Sequence, residues 1–245
     1  MRAALLQMTS GIDPAANART LVDAVARAAA GGAAMLFTPE MSGLLDGDRD
    51  RAAGSLAREE DDRVLASVRE AAARHGVWVH LGRLAIVRPD GRLANRGFVI
   101  DGSGAIRARY DKMHLFDVDL ASGECWRESD RYAAGEGAAL VDTPLGMLGL
   151  AICYDLRFPD LFRALSEAGA TVFAVPAAAQ TGEHADGRAT FGHSLAVDPW
   201  GEVLLDMGED AGLAFAEMDP ERQREARARV PVLRHRRAIG PVAAS

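Results

Sequence analysis

Lysine is almost missing from this 245-residue chain. Nearly all of its positive charge is arginine, and 28 basic residues face 35 acidic ones, for a net charge of −7. That balance excludes nonspecific nucleic-acid binding, which needs clustered Lys and Arg against phosphate. Two cysteines, Cys125 and Cys153, are too few for a disulfide framework and are expected to be free thiols in a reducing compartment. No apolar run is long enough to cross a bilayer, so no membrane insertion is expected. The N-terminal MRAALLQMTSGID has one Arg, a short apolar stretch and no small-residue cleavage pattern. It reads as a first strand rather than a leader, which points to the cytoplasm. There is no CxxC or HExxH, so no metal is expected, and no GxGxxG or GxxxxGK[ST] between a strand and a helix, so nothing cradles a phosphate. No cofactor is implied. Linkers, repeats and low-complexity tracts are missing as well, which leaves one domain over residues 1–245.

What the chain does contain is alternating strands and helices. Arg2 to Met8 reads as a strand; Asp13-Pro14 supplies an N-cap and an N1 proline, and the helix that follows ends at Gly31-Gly32. Ala33 to Phe37 is a second strand, closed by Thr38-Pro39-Glu40. Gly43 to Arg58, with its GDRDR run, reads as a mobile surface loop that could serve as a lid. Asp61 or Asp62 caps a helix closed by His75-Gly76. Val77–Val87, Leu93–Asp101 and Ala105–Tyr110, separated by PDGR and DGSG turns, form an antiparallel meander. Asp111 to Gly137 has no sustained period and reads as a long irregular loop, a common home for function. Beyond it come the strand Met147 to Ile152, a helix from Pro159, the strand Thr171 to Val175, and a hairpin of Thr190–Val197 with Glu202–Met207. A last strand, Gly212–Met218, precedes a charged helix from Pro220 and a tail, VPVLRHRRAIG, that reads as a packing or oligomer arm. Helices mixed with both parallel and hairpin connections predict an α/β fold with mixed sheets.

Three chemically distinct side chains each follow a strand: Glu40, Lys112 and Cys153. Each alone has an ordinary role, as a solvated loop acid, a solvated strand end or a small hydrophobe closing a core strand. Together, a carboxylate, an ammonium and a thiol are what amide hydrolysis by covalent catalysis requires. His114 and Glu128, in the long loop, also have an ordinary reading as hydrogen-bonded scaffold, which is preferred for His114.

The segments FTPEMS, YDKMHLFD, WRESD, GLAICYDLRFP and FGHSLAVDPWG, in that order, closely resemble the nitrilase superfamily of carbon-nitrogen hydrolases. The wording YDLRFP and DPWG is most similar to its omega-amidase and deaminated-glutathione amidase branch. That resemblance covers Met1 to about Arg237. It implies a four-layer αββα sandwich assembled into homodimers or larger homo-oligomers, acting on a small-molecule amide. It also implies roles: Cys153 as nucleophile, Glu40 as general base and acid, Lys112 as oxyanion-stabilising cation and Glu128 as a supporting carboxylate. The Tyr154 backbone N–H would join Lys112 at the oxyanion. Arg157 would clamp a substrate carboxylate, with a salt bridge to Asp155 or Asp160 as the alternative.

One departure stands against the family pattern. Relatives place a helix and a strand between VPAA and AAQTG, and here Val175 to Gly182 splices the two, so that one αβ unit is missing. The competing expectation is therefore an impaired nitrilase-like scaffold that binds a metabolite or partner.

Overall fold

The first strand, β1 (Arg2–Gln7), is buried on both faces because it lies inside a sheet that is covered on both sides. Ala4 and Leu6 enter one apolar core and Ala3 the other. In this computed structural model, which describes residues 1–121, 123–178, 181–238 and 240, β1 pairs antiparallel with Gly212–Glu217 and parallel with β2 (Met35–Phe37). The sheet continues through β3 (Trp78–Val87), β4 (Leu93–Ile100) and β5 (Ile106–Asp111), and the short strand Tyr132–Ala133 adds in parallel to the start of β4. Helices connect the parallel neighbours β1, β2 and β3, and the PDGR and DGSG turns produce the antiparallel β3–β4 and β4–β5 pairs.

The Pro14–Ala30 and Arg63–His75 helices cover the outer face of this sheet with Leu21, Val25, Leu65 and Val68. Their ends follow from local chemistry. The Asp13 carboxylate accepts from Ala15 N at 2.8 Å and that of Asp62 from Leu65 N at 2.8 Å, while Gly32 (φ 73°) and Gly76 (φ 66°) take the left-handed turn that stops each helix. On the inner face Ala3, Met35, Val99 and Tyr110 pack against Leu148, Leu150 and Ile152. Leu148 and Leu150 belong to a second sheet of Ala139–Thr143, Gly146–Leu150 and Val172–Ala174, with Ile152 just beyond it, and onto this sheet the Pro159–Glu167 helix lays Leu161 and Leu165. Helix, sheet, sheet and helix make the expected four-layer αββα sandwich. Among the described residues no helix is long and apolar enough to cross a membrane.

Three local expectations need correction. The 43–58 segment is not a loose surface loop: Leu45 and Asp46 are buried, Asp48 caps a short helix Arg49–Ala53, and Arg51 grips Asp46 with two bonds of 2.7 Å. Pairing with Arg51 is what lets the Asp46 carboxylate lie inside while the GDRDR run beside it stays exposed. The irregular 111–137 region contains a hairpin, Asp117–Asp119 with Cys125–Arg127, a 3₁₀ turn at Glu128–Asp130 and the Tyr132–Ala133 strand. The late hairpin is Leu195–Val197 with Val203–Asp206, and Ala189–Phe191 pairs instead with Thr181–Glu183. Positive φ angles at Gly192 (76°) and His193 (54°) break what read as one strand.

The splice after Pro176 is visible in the chain. Val172–Ala174 leads to Thr181–Glu183 with no helix among the described residues between them; Ala179 and Gln180 lie outside the described residues. The Val172–Ala174 strand is an edge of its sheet, and Phe173 is left exposed there.

Candidate active site

Glu40 is placed by the end of β2 and by the chain that follows Val172–Ala174. Thr38 N–H donates to His80 O (3.0 Å), Glu40 N–H to Ala177 O (3.2 Å), and the Thr38 hydroxyl accepts from Gly82 N (2.9 Å). Gly82 has to be glycine here: a Cβ would stand 2.3 Å from Thr38 O and 2.7 Å from Pro39 O. Lys112 continues directly from β5, its N–H donating to Asn95 O at 2.9 Å. It is the sole lysine of the chain, and it is buried.

Cys153 begins a 3₁₀ turn, Cys153–Arg157, just beyond the Gly146–Leu150 strand. Its φ is 49°, a left-handed conformation that costs a non-glycine residue on the order of 1 kcal/mol. Asp155 pins that turn. One of its oxygens accepts from Ile152 N (2.8 Å) and the Tyr110 hydroxyl (2.7 Å), and the other lies 3.1 Å from His114 N and 2.7 Å from His114 Nδ1. His114 in turn stacks on Phe158 with ring centroids 3.7 Å apart. Because Tyr110 and His114 flank Lys112, the buried Asp155 carboxylate ties the Lys112 segment to the cysteine turn. The Cys153 N–H donates to Pro176 O at 2.8 Å, which secures the other side.

These segments gather four of the expected side chains. Lys112 Nζ lies 2.9 Å from Glu128 Oε2 and 3.5 Å from Glu40 Oε1. The two amide hydrogens of Asn95 Nδ2 bridge the carboxylates, at 3.0 Å to Glu40 and 2.7 Å to Glu128. Phe116 N–H donates to Glu128 at 2.7 Å. The Cys153 thiol lies within hydrogen-bonding reach of Glu40.

The electrostatics follow from this packing. Burial alone raises the Glu40 pKa, but Lys112, Arg83, Asn95 and the thiol together outweigh it and hold the carboxyl below its usual range. Burial works against the Lys112 charge, and Glu40 and Glu128 more than restore it, so its pKa stands above that of an ordinary lysine. The Cys153 thiol is pushed up to about 12, first by burial and then by the Glu40 charge, against the pull of Lys112. At neutral pH the resting site therefore holds a thiol, a carboxylate and an ammonium: a nucleophile that needs a base, beside a base that is charged.

The other two expected residues lie at the margin. The Tyr154 ring meets Phe116 and Phe158 edge-on, at 5.1 and 5.2 Å, and its backbone belongs to the first turn of the 3₁₀ segment, where N–H groups have no partner within the turn. Arg157 is exposed. The alternative salt bridge is not made: Asp155 serves Ile152, Tyr110 and His114, and Asp160 pairs with Arg163 at 3.0 Å. Sequence reading passed over Asn95, Asp155 and Arg83. Asn95 and Arg83 carried a signal, each as a polar residue within an apolar strand.

Fold and site together define a class: an αββα protein with a buried carboxylate and ammonium brought together with a half-buried thiol beyond its strand ends. The chain belongs to the carbon-nitrogen hydrolase family of the nitrilase superfamily, whose model matches residues 2–176 and 170–228. That match divides where the splice lies. Similar proteins include the deaminated glutathione amidase of Yersinia enterocolitica, 32% identical over 269 residues, covering 96% of this chain and 93% of that one. That of Synechocystis sp. (strain PCC 6803 / Kazusa) is 34% identical over 267 residues, covering 96% and 97%. Both alignments are longer than this chain, so each relative carries positions that this chain lacks. Among solved structures, the Caenorhabditis elegans NitFhit protein superposes with a TM-score of 0.88 at 32% identity, over 96% of this chain and 65% of that longer one. An amidase from Nesterenkonia sp. shares the fold, with a TM-score of 0.76 at 24% identity over 95% of each.

Proposed function

We propose that this chain is an amidase that cleaves the C–N bond of a small, carboxylate-bearing linear amide through a thioester on Cys153. The observation that carries the reading is the single hydrogen-bonded set in which the Cys153 thiol meets Glu40 and Lys112 is shared between Glu40 and Glu128. Glu40 takes the Sγ proton as sulfur attacks the amide carbon, and the carbonyl π pair moves onto oxygen. Lys112 and the Tyr154 backbone N–H receive that oxyanion; the loss of one such donor typically costs about 10²–10³ in rate. Glu40 then gives its proton to nitrogen, the C–N bond breaks and ammonia leaves. Water, deprotonated by Glu40, attacks the thioester; the C–S bond breaks, the acid departs and the thiol recovers its proton. Glu128 and Asn95 hold Lys112 and Glu40 in register throughout. Arg157, exposed beside the cysteine turn, meets the substrate carboxylate as a planar fork.

The missing αβ unit favoured a scaffold without activity. Against that reading, Glu40, Lys112, Glu128 and Cys153 still assemble, because their contacts run through β2–β5, the Glu128 turn, the cysteine turn and Pro176–Ala177, all of which the chain retains. The names of the relatives make deaminated glutathione the first substrate to try, with omega-amides such as 2-oxoglutaramate beside it. Ammonia release above a Cys153→Ala control supports the reading, and release equal to the control refutes it. We also propose that the protein assembles as a homodimer or larger homo-oligomer, to be read by light scattering on a sizing column.

A further inference from the structure

Alternation along β3 fails at one place. Val79 and Leu81 face the outer helices, and so do Leu84 and Ile86, so the strand changes parity between them. The ladder shows why: Leu81 pairs with Phe98 and Leu84 with Arg96, which leaves Gly82 and Arg83 together opposite Gly97. A bulge of this kind gives one face an extra residue and re-aims its side chain. The face that gains is the inner one, where Ala85 is registered with Asn95 and Leu93 with Tyr132. Arg83 is 2% exposed, its guanidinium lies 4.8 Å from the centroid of the Tyr132 ring, and its Nε has no hydrogen-bond partner among the described residues.

A buried guanidinium stays charged, since it does not deprotonate in proteins, and its cost must be met by nearby negative charge. The groups that supply it are Glu40 and Glu128. Those two carboxylates share one ammonium, so without a second cation the cluster is short of one positive charge. Carboxylates left in that state take up a proton.

We propose that Arg83 is a positioning residue of the amide-cleaving site, a second fixed cation that keeps Glu40 charged while Lys112 turns its ammonium to the oxyanion. This rests on the amidase reading above. Glu40 faces Arg83 from β3, Asn95 from β4, Lys112 from the end of β5 and Cys153 from the second sheet, with Glu128 joined to it through Asn95 and Lys112. His80, also on β3, is buried and has its pKa lowered to about 4, so it stays neutral over the range of the test.

The test follows alkylation of Cys153 by iodoacetamide, a neutral electrophile, using intact mass from mildly acidic to alkaline pH in a Cys125→Ser background. In the parent the rate holds across the mildly acidic side, because Glu40, kept below its usual range, stays charged. In Arg83→Met the Glu40 carboxyl takes up a proton within the test range, so that a fall appears on the acid side, with alkylation at least about tenfold slower there and the parent's plateau kept above it. Arg83→Lys restores the parent profile. If Arg83→Met does not fold, Arg83→Gln carries the same comparison. A uniform slowing at all pH values, with no fall on the acid side, overturns the proposal. Glu40→Gln separates the two levels: if it leaves the parent's alkylation rate unchanged, Glu40 is not the base and the amidase reading itself fails.

Discussion

Replacing Asp155 by Asn should destabilise the protein by about 3–5 kcal/mol and disable Cys153, although neither the volume nor the shape of the side chain changes. The carboxylate is fully buried and meets four partners, of which Ile152 N–H and His114 N–H are obligate donors. An amide offers one acceptor oxygen. In either flip its NH₂ confronts a backbone N–H, that of Ile152 at the 2.8 Å position or that of His114 at the 3.1 Å position. One buried N–H left unsatisfied costs about 1–3 kcal/mol, and reducing the surviving charge-assisted bonds to neutral ones costs on the order of 1 kcal/mol each. The loss falls on the turn that holds Cys153 in its left-handed conformation and on the segment that carries Lys112. A displacement of about 1 Å there costs on the order of 10²-fold in reactivity. Equilibrium unfolding in urea, followed by circular dichroism, should show a lower midpoint at unchanged slope, and iodoacetamide should label Cys153 correspondingly more slowly. A loss below about 1 kcal/mol with labelling unchanged would refute the claim that Asp155 ties the two segments together.

Other outcomes follow from the same structure. Gly82→Ala places a methyl 2.3 Å from Thr38 O and should cost about 3 kcal/mol by thermal or urea unfolding while slowing Cys153 labelling; an unchanged midpoint would show that the Glu40 loop does not rest on β3. His80, buried, has its pKa lowered from 6.5 to about 4, so between those values the unfolded chain binds a proton that the folded one does not. Stability is full above pH 6.5 and falls as pH drops toward 4, by about 3 kcal/mol at most, and a His80→Leu protein should lack this part of the slope. Lys112→Met leaves two buried carboxylates with Arg83 alone and should cost about 3–5 kcal/mol at neutral pH. The carboxyl pKa values of that variant rise above their unfolded values, so its deficit should shrink as pH is lowered, which unfolding curves at two pH values would show.

Much of the site could be read from the sequence because its chemistry sits at boundaries that composition marks. Glu40, Lys112 and Cys153 each stop an apolar run, and Asp13-Pro14, Asp62 and Gly76 fix helix ends by local hydrogen bonding and left-handed backbone, which short-range chemistry dictates. The residues passed over depend on pairing between distant segments. Asn95 meets Glu40 across 55 positions, and the turn of Arg83 toward the site exists only because β4 sets the register of β3. Asp155 read as a possible salt-bridge partner for Arg157, and its actual partners, Tyr110 on β5 and His114 just beyond it, come from 45 and 41 positions away. The 43–58 segment misled for the opposite reason: its charges read as solvated, but Arg51 neutralises Asp46 and takes it inside. The splice after Pro176 was legible only against the family pattern, since the residues left behind form an ordinary strand end.

The central claim is that Cys153 carries the acyl group. Incubation with a small omega-amide, an acid quench and mass mapping of the Cys153 peptide should show that peptide heavier by the substrate less one ammonia. The adduct should be lost in Cys153→Ala and should decay as free acid appears. Ammonia that accumulates while the Cys153 peptide stays unmodified, or that is still released by Cys153→Ala, would contradict the account.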